Sequence, residues 1–348
     1  FIGFGDMKSF EKNDHKTIAV QSGSTMLDFA QKNKEKYKIK KIVAIDNNQI
    51  GVEMILHKKV DYIFTSEEFA QDISKKYKDL FVIVLKNASD KYAIAMGKNF
   101  QYAKEINKAI SEMQKDGTIE KIKKKWMNYD SGNNKEGYIK SLLWIVGGVF
   151  VTIPVSVVAF CFGVIVASLF SLMRYSSKKT SVQIAECYIS IIRGTPILLQ
   201  FSFFYFLLPH ILNINLSIYT SAIITLSINS SAYIAEIIKS GMNSLDKGQL
   251  EAAESLNLSQ QQKIKHIIIP QLMQNVAPAM LNEVISLIKE SSVISVFGGY
   301  DIIKRANIVS TEYYSYFVPM FVAAAAYYII VIGLENVLKR YERNRYKH

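Results

Sequence analysis

Arginine is absent from the first 137 residues of this 348-residue chain, proline from the first 153 and cysteine from the first 160. With no cysteine, the N-terminal segment has no disulfide to staple it and must be held by its core. The two cysteines, Cys161 and Cys187, fall in apolar segments with no evident partner, and the five histidines (15, 57, 210, 266, 348) are scattered without ligand spacing, which argues against a metal site. A phosphate-binding Walker loop is also missing. Met7 precedes Lys8-Ser9 where glycine is needed, and Gly97-Lys98 runs into Asn99. The chain is therefore not expected to be an enzyme or to hydrolyse nucleotide itself.

The most telling scarcity is of charge after residue 140. Ser141–Met173, Gly194–Ala235 and Tyr313–Leu334 contain no Asp, Glu, Lys or Arg, and Ile267–Asn282 is a shorter run of the same kind. A helix rises ~1.5 Å per residue and a bilayer core is ~30 Å thick, so about 20 apolar residues suffice to cross it. These runs exclude a single soluble enzyme domain. They predict five spans at about 140–172, 183–208, 217–238, 272–291 and 314–336, with a turn at 209–216 marked by Pro209-His210, Asn213 and Asn215.

What is present divides in the same way. Residues 1–137 hold 25 Lys and 19 acids, while the longer remainder holds 11 Lys, all 6 Arg and 11 acids. Basic residues cluster after the first span (Arg174, Lys178, Lys179), after the third (Lys239, Lys247, Lys263, Lys265) and after the fifth (Lys339, Arg340, Arg343, Arg345, Lys347). The positive-inside rule then places the C-terminus in the cytoplasm and the N-terminal segment outside. This asymmetry and a lysine-rich soluble surface account for the net charge of +12 without a nucleic-acid partner.

In the N-terminal segment, strands are predicted at 17–20, 39–45, 60–64, 80–85 and 92–96, alternating with helices from Met26, over 49–58 and over 67–76. Helices over 100–115 and 118–128 are separated by Asp116-Gly117. The pattern describes an α/β lobe. Gly23-Ser24-Thr25 sets backbone N–H groups and hydroxyls at a helix start, which suits a carboxylate; the same residues also serve as an ordinary strand-to-helix turn.

The stretches VQSGST (20–25), KKVDYIF (58–64), YAIAMGKN (92–99) and INKAISEMQKDGTIEKIKKKWM (106–127) resemble bacterial extracellular solute-binding proteins of the amino-acid (family 3) type. The resemblance implies an incomplete periplasmic-binding-protein-like lobe over 1–130, joined by a linker at 131–137 to the membrane part. Ser24 and Thr25 inherit a role in binding the ligand carboxylate. Glu67 stands near the place where the family puts an aspartate for the ligand ammonium. The first lobe of such a protein would precede Phe1, and neither an initiator Met nor an export signal is present, so the N-terminus is expected to be missing or removed.

In the membrane part, RGTPILLQ (193–200), AYIAEIIKSGM (232–242), GQLEAAESL (248–256), IIIPQ (267–271) and LIKESSVISV (287–296) closely resemble the permeases of binding-protein-dependent ABC importers of the polar amino-acid type. The resemblance implies an all-α, five-span, MetI-like transmembrane domain over 138–348, with a cytoplasmic EAA loop at about 239–270. In that family the loop docks on a separate ATPase subunit, which carries ATP and magnesium. Glu251, Ala252 and Ala253 inherit the coupling role, with Asn257 at the bend where the family has glycine. The implied partners are that ATPase, a second copy of the permease, an amino acid or related polar solute, and membrane lipid. The location is the bacterial plasma membrane.

Polar residues within the spans are pathway or gate candidates. Arg193 lies ~8 Å inside a ~30 Å core if its span ends at Leu208. It either snorkels to the surface or sits at a subunit interface or gate beside Gly194 and Pro196. Asn229 and Glu236 belong to a polar stretch that serves helix packing or the pathway. Lys289 and Glu290 form a local charge pair or part of an external gate. A ligand-gated channel with a binding-protein ectodomain is the rival class, distinguished by passive current in place of ATP-dependent accumulation.

Overall fold

The computed structural model describes residues 1–4, 7–12, 14–85, 94, 100–127 and 135–345. They form two compact units, Phe1–Lys140 with Val309–Val318, and Ser141–Ile308 with Pro319–His348.

The first unit is built on five strands, β1 (Ile2–Phe4), β2 (Lys16–Gln21), β3 (Ile39–Ile45), β4 (Tyr62–Phe64) and β5 (Leu80–Val82), in the order β3-β2-β4-β1-β5. β2 runs parallel to both β3 and β4, and β1 is antiparallel to β4 and β5. Alternation along the strands fills two cores. Ile18, Val20, Tyr62 and Phe64 enter one, with Phe1, Ala30 and Ile39, while Ala19 and Ile63 enter the other, with Val52, Ile55, Ala70 and Ile73. Helices Asn48–Leu56 and Glu67–Lys76 therefore cover one face and Thr25–Lys32 the other, as a parallel sheet requires.

Strands and helices from 16 to 82 lie close to their expected places, although the predicted strands 60–64 and 80–85 shorten to three residues each. The strand expected at 92–96 lies outside the described residues, apart from Ile94. Unanticipated were β1 and the helix Met7–Lys12. Helices Ala103–Lys115 and Thr118–Met127 meet at Asp116 and at Gly117, which is left-handed with φ 76°.

The second unit centres on Ile218–Asn243, packed by Val149–Arg174, Lys179–Gly194 and Ile269–Glu290. Among the described residues, three helices are long and apolar enough to cross a membrane: Glu136–Arg174, Ile218–Asn243 and Phe317–Arg340. The central one is 61% buried over its most apolar window and the last only 17%, so the last presents most of its surface outward. Phe150, Leu172 and Ile329 are among the large apolar side chains left exposed, as lipid contact requires.

The remaining expected spans differ in detail from these three. The span expected at 183–208 is broken beside Arg193, where Gly194 and Pro196 stand. Lys179–Gly194 and Ile197–Leu212 are bent by 104° at Thr195-Pro196, because proline cannot continue the helix and restricts the residue before it. Counting that pair as one crossing gives four spans by length and composition among the described residues, and a fifth needs Ile269–Glu290. The segment expected as a further span forms Ile269–Glu290, but Gln271, Gln274, Asn275, Asn282, Glu283, Lys289 and Glu290 make it less apolar than the other spans. The turn expected at 209–216 also begins later. A π-turn at Phe203–Leu207 precedes Leu208–Leu212, which carries Pro209 near its start, and the chain reverses at Asn213, left-handed with φ 51°.

Candidate functional site

The sequence candidates fall into three places. In the first unit, β2 and β4 are parallel neighbours with Val20 opposite Phe64, so the loops at their carboxyl ends bring Ser24, Thr25 and Glu67 to one edge of the sheet. Three helices start along this edge. Each is capped by its own side chain: Ser24 accepts from Leu27 N at 3.3 Å, Asn47 from Ile50 N at 3.0 Å and Ser66 from Phe69 N at 3.4 Å. The Ser24 hydroxyl also donates to Gln21 O at 2.6 Å, Thr25 is exposed, and exposed Glu67 accepts from Gln71 Nε2 at 2.9 Å. A ligand here meets hydroxyls already engaged by the backbone. Thr65, at the end of β4, is buried with its Oγ1 unpaired. An open groove of about 560 Å³ lies at the opposite end of β4, lined by Phe4, Lys58, Asp61, Tyr62 and Asp79, away from these residues.

The second place joins Arg193 and Glu236, and adds a residue the sequence showed only as one basic residue among several. Arg174 ends Val149–Arg174 with a side chain 5% exposed. Its Nε and one terminal nitrogen donate to the two oxygens of Glu186, each at 2.9 Å, and the same terminal nitrogen reaches Glu236. Arg193 lies 3.6 Å from the other oxygen of Glu236 and over the Tyr233 ring, and Lys239 lies 3.7 Å from Glu186. Five charges thus tie three helices together. The guanidinium fork of Arg174 is its centre because it alone makes bidentate contact. A lone arginine closing a long uncharged run was the available signal.

Asn229 is not part of that network. It is 4% exposed, and its Nδ2 donates to Gln200 Oε1 at 3.2 Å. Gln200 in turn donates to Ile192 O at 2.8 Å and to Thr195 O at 3.0 Å. The bend at Thr195-Pro196 frees carbonyls that the helix would have satisfied, and one buried amide takes them up. Polar bonds elsewhere in the bundle join Ser230 Oγ to Glu283 at 2.8 Å and Tyr188 to Ser231 at 2.6 Å, with Tyr188 stacked on Phe170. Lys289 is exposed, and Glu290, half-buried, lies two turns beyond Glu283 on the same helix face. Gly147 and Gly148 admit the start of Ile302–Glu312, since a Cβ at Gly148 would fall 2.5 Å from Ile302 N. There Asp301 accepts from Lys304 N at 2.8 Å, and burial pushes its carboxyl up to about 6 against the opposing pull of these N–H bonds.

The third place is the loop at 239–270. Asp246 accepts from Gly248 N at 2.8 Å and starts the helix Lys247–Ser255. Glu251 and Ala252 face outward, whereas Ala253 is 2% exposed. The helix ends at Leu256, 74% exposed, and Asn257, left-handed with φ 56°. Asparagine accepts that conformation at low cost, so the chain turns without glycine.

Residues 159–345 match the family described as binding-protein-dependent transport system inner membrane component. A putative glutamine transport system permease protein GlnP of Rickettsia bellii is 43% identical over 202 residues, 58% of this chain and 93% of the relative. The arginine transport system permease protein ArtQ of Bacillus subtilis is 37% identical, over 59% of this chain and 94% of its own. A crystal structure of an amino acid ABC transporter with histidines is 35% identical, aligning over 59% of this chain and 96% of that one with a TM-score of 0.56. The match spans the broken helix, the charge network and the loop alike, and the chain belongs to the family of binding-protein-dependent transport system inner membrane components.

Proposed function

We propose that this chain is the permease subunit of an ATP-driven importer for amino acids, working as a homodimer with a separate ATPase subunit. The observation that carries the reading is the short, outward helix Lys247–Ser255. It buries Ala253 and leaves Glu251 and Ala252 free for a partner, on a chain with relatives named as glutamine and arginine permeases. On this reading the loop lies in the cytoplasm, five segments cross the membrane with the broken pair and Ile269–Glu290 among them, and residues 1–130 form an external binding lobe. Ser24, Thr25 and Glu67 meet the solute there. Arg193, Asn229, Glu236, Lys289 and Glu290 belong to the pathway or its gates.

In this mechanism, nucleotide binding to the ATPase moves the docking helix, and the helical bundle passes from outward to inward access. The outward face of Ala252 permits close approach, and Glu251 supplies a charge for pairing. The test is reconstitution of the full chain with its ATPase in liposomes, following uptake of L-glutamine and L-arginine. Accumulation that requires ATP hydrolysis, abolished by Glu251→Arg, is the expected result. Passive current without ATP would identify a channel instead and refute the importer reading.

A further inference from the structure

The docking helix has nine residues, too few to hold a position by itself. A push on Glu251 or Ala252 would be absorbed by rotation at the left-handed Asn257 unless something braces the bend. Two side-chain ties do so, one near each end of the helix. Beyond Asn257 the chain restarts with a capping box, in which Ser259 Oγ accepts from Gln262 N at 3.3 Å and Gln262 Oε1 accepts from Ser259 N at 2.9 Å. This fixes the direction of the next turn and folds Lys263 back onto the docking helix. Its Nζ meets Glu254 Oε1 at 3.1 Å. The Lys263 side chain is only 11% exposed, so its ammonium has few solvent positions open to it. At the opposite end, Gln271 Nε2 donates to Gln249 Oε1 at 2.5 Å.

Both partners, Lys263 and Gln271, lie on the continuous helical stretch formed by Gln260–Lys263, the π-turn Ile264–Ile268 and Ile269–Glu290. That stretch is anchored at Asn275, which donates to Ser244 Oγ at 3.0 Å, and by Val276 and Leu272 against Gly241. Its far part carries Glu283, bonded to Ser230 of the central helix.

We infer that Lys263 and Gln271 are positioning residues that lock the docking helix to Ile269–Glu290 as one lever, so that movement of the ATPase reaches the bundle through that helix. The inference rests on the proposed docking role and adds the residues that make it stiff. The decisive measurement is solute transported per ATP hydrolysed, in liposomes holding the full chain and its ATPase, with L-glutamine and L-arginine as probes. The double variant Lys263→Met/Gln271→Leu is expected to lower that ratio by about threefold or more, with ATPase binding in pull-down unchanged. Lys263→Arg is expected to keep the ratio, and the exchange Glu254→Lys/Lys263→Glu to recover most of it. An unchanged ratio in the double variant overturns the lever, and so does a fall accompanied by loss of ATPase binding, which would mark a purely structural role. Absence of ATP-dependent uptake in the unmodified protein would overturn the importer reading and the lever with it.

Discussion

In the α/β unit, Ser24, Asn47 and Ser66 each give their side chains to the backbone of the helix they begin, whereas in the helical unit Arg174, Gln200 and Ser230 give theirs to partners on other segments. The difference follows from what surrounds each unit. Helix starts at the edge of a sheet open to water need only local caps, and the two cores between them are apolar. Inside a bundle with an apolar exterior, a polar group too long to bond back to its own helix must find its partner on a neighbouring one. Ser24, Asn47 and Ser66 are therefore terminators, and Arg174, Gln200 and Ser230 are cross-links.

The sharpest way to break this contrast is Arg174→Met. It leaves Glu186 without its bidentate partner and Glu236 without its nearest cation; both carboxylates are partly solvated, so a loss at the low end for a broken buried pair, about 3 kcal/mol, is expected. The check is thermal unfolding and monodispersity of the purified chain in detergent. Asp301 sharpens the same point through pH. Its carboxyl is held near 6 in the fold, against 3.8 in the reference state, so the folded chain binds the proton more tightly. The associated stability is fully present below about pH 4 and is lost as pH rises through 6, a swing of about 3 kcal/mol. Asp301→Asn should flatten that dependence in unfolding midpoints taken across the range, while keeping an acceptor for Lys304 N.

Gln200→Leu comes next. It strips partners from Ile192 O, Thr195 O and Asn229 at the bend, at a cost of about 1–3 kcal/mol, with faster amide exchange at 192–200 as the local readout. The smallest effect belongs to the α/β unit. Ser66→Ala removes one cap and should cost about 1 kcal/mol, confined in hydrogen exchange to the first turn of Glu67–Lys76. If Ser66→Ala matched Arg174→Met, the contrast between local caps and cross-links would be wrong.

Much of the α/β unit could be read directly, because its signals are local. Asn47 before Asn48–Leu56, Ser66 before Glu67–Lys76 and Gly117 between two helices all act within a few residues. β1 could not, since Ile2-Gly3-Phe4 is too short for a periodic pattern and becomes a strand only by pairing with both β4 and β5. In the bundle, Pro196 marked a break but not its 104° angle, nor that Gln200 and Asn229 meet across 29 residues. Arg193 and Glu236 stood out as charges in apolar surroundings. That they share a network centred on Arg174 depends on which helix faces come together.

The sequence alone determined where charge disappears and which segments are helical enough to enter a membrane, because hydrophobic runs and caps are read from neighbouring residues. The tertiary structure decided which polar groups pair, how sharply the second crossing bends, and that Lys263 and Gln271 reach back to Glu254 and Gln249. Those outcomes depend on side chains brought within about 3 Å by the packing of whole helices, a distance no local pattern encodes.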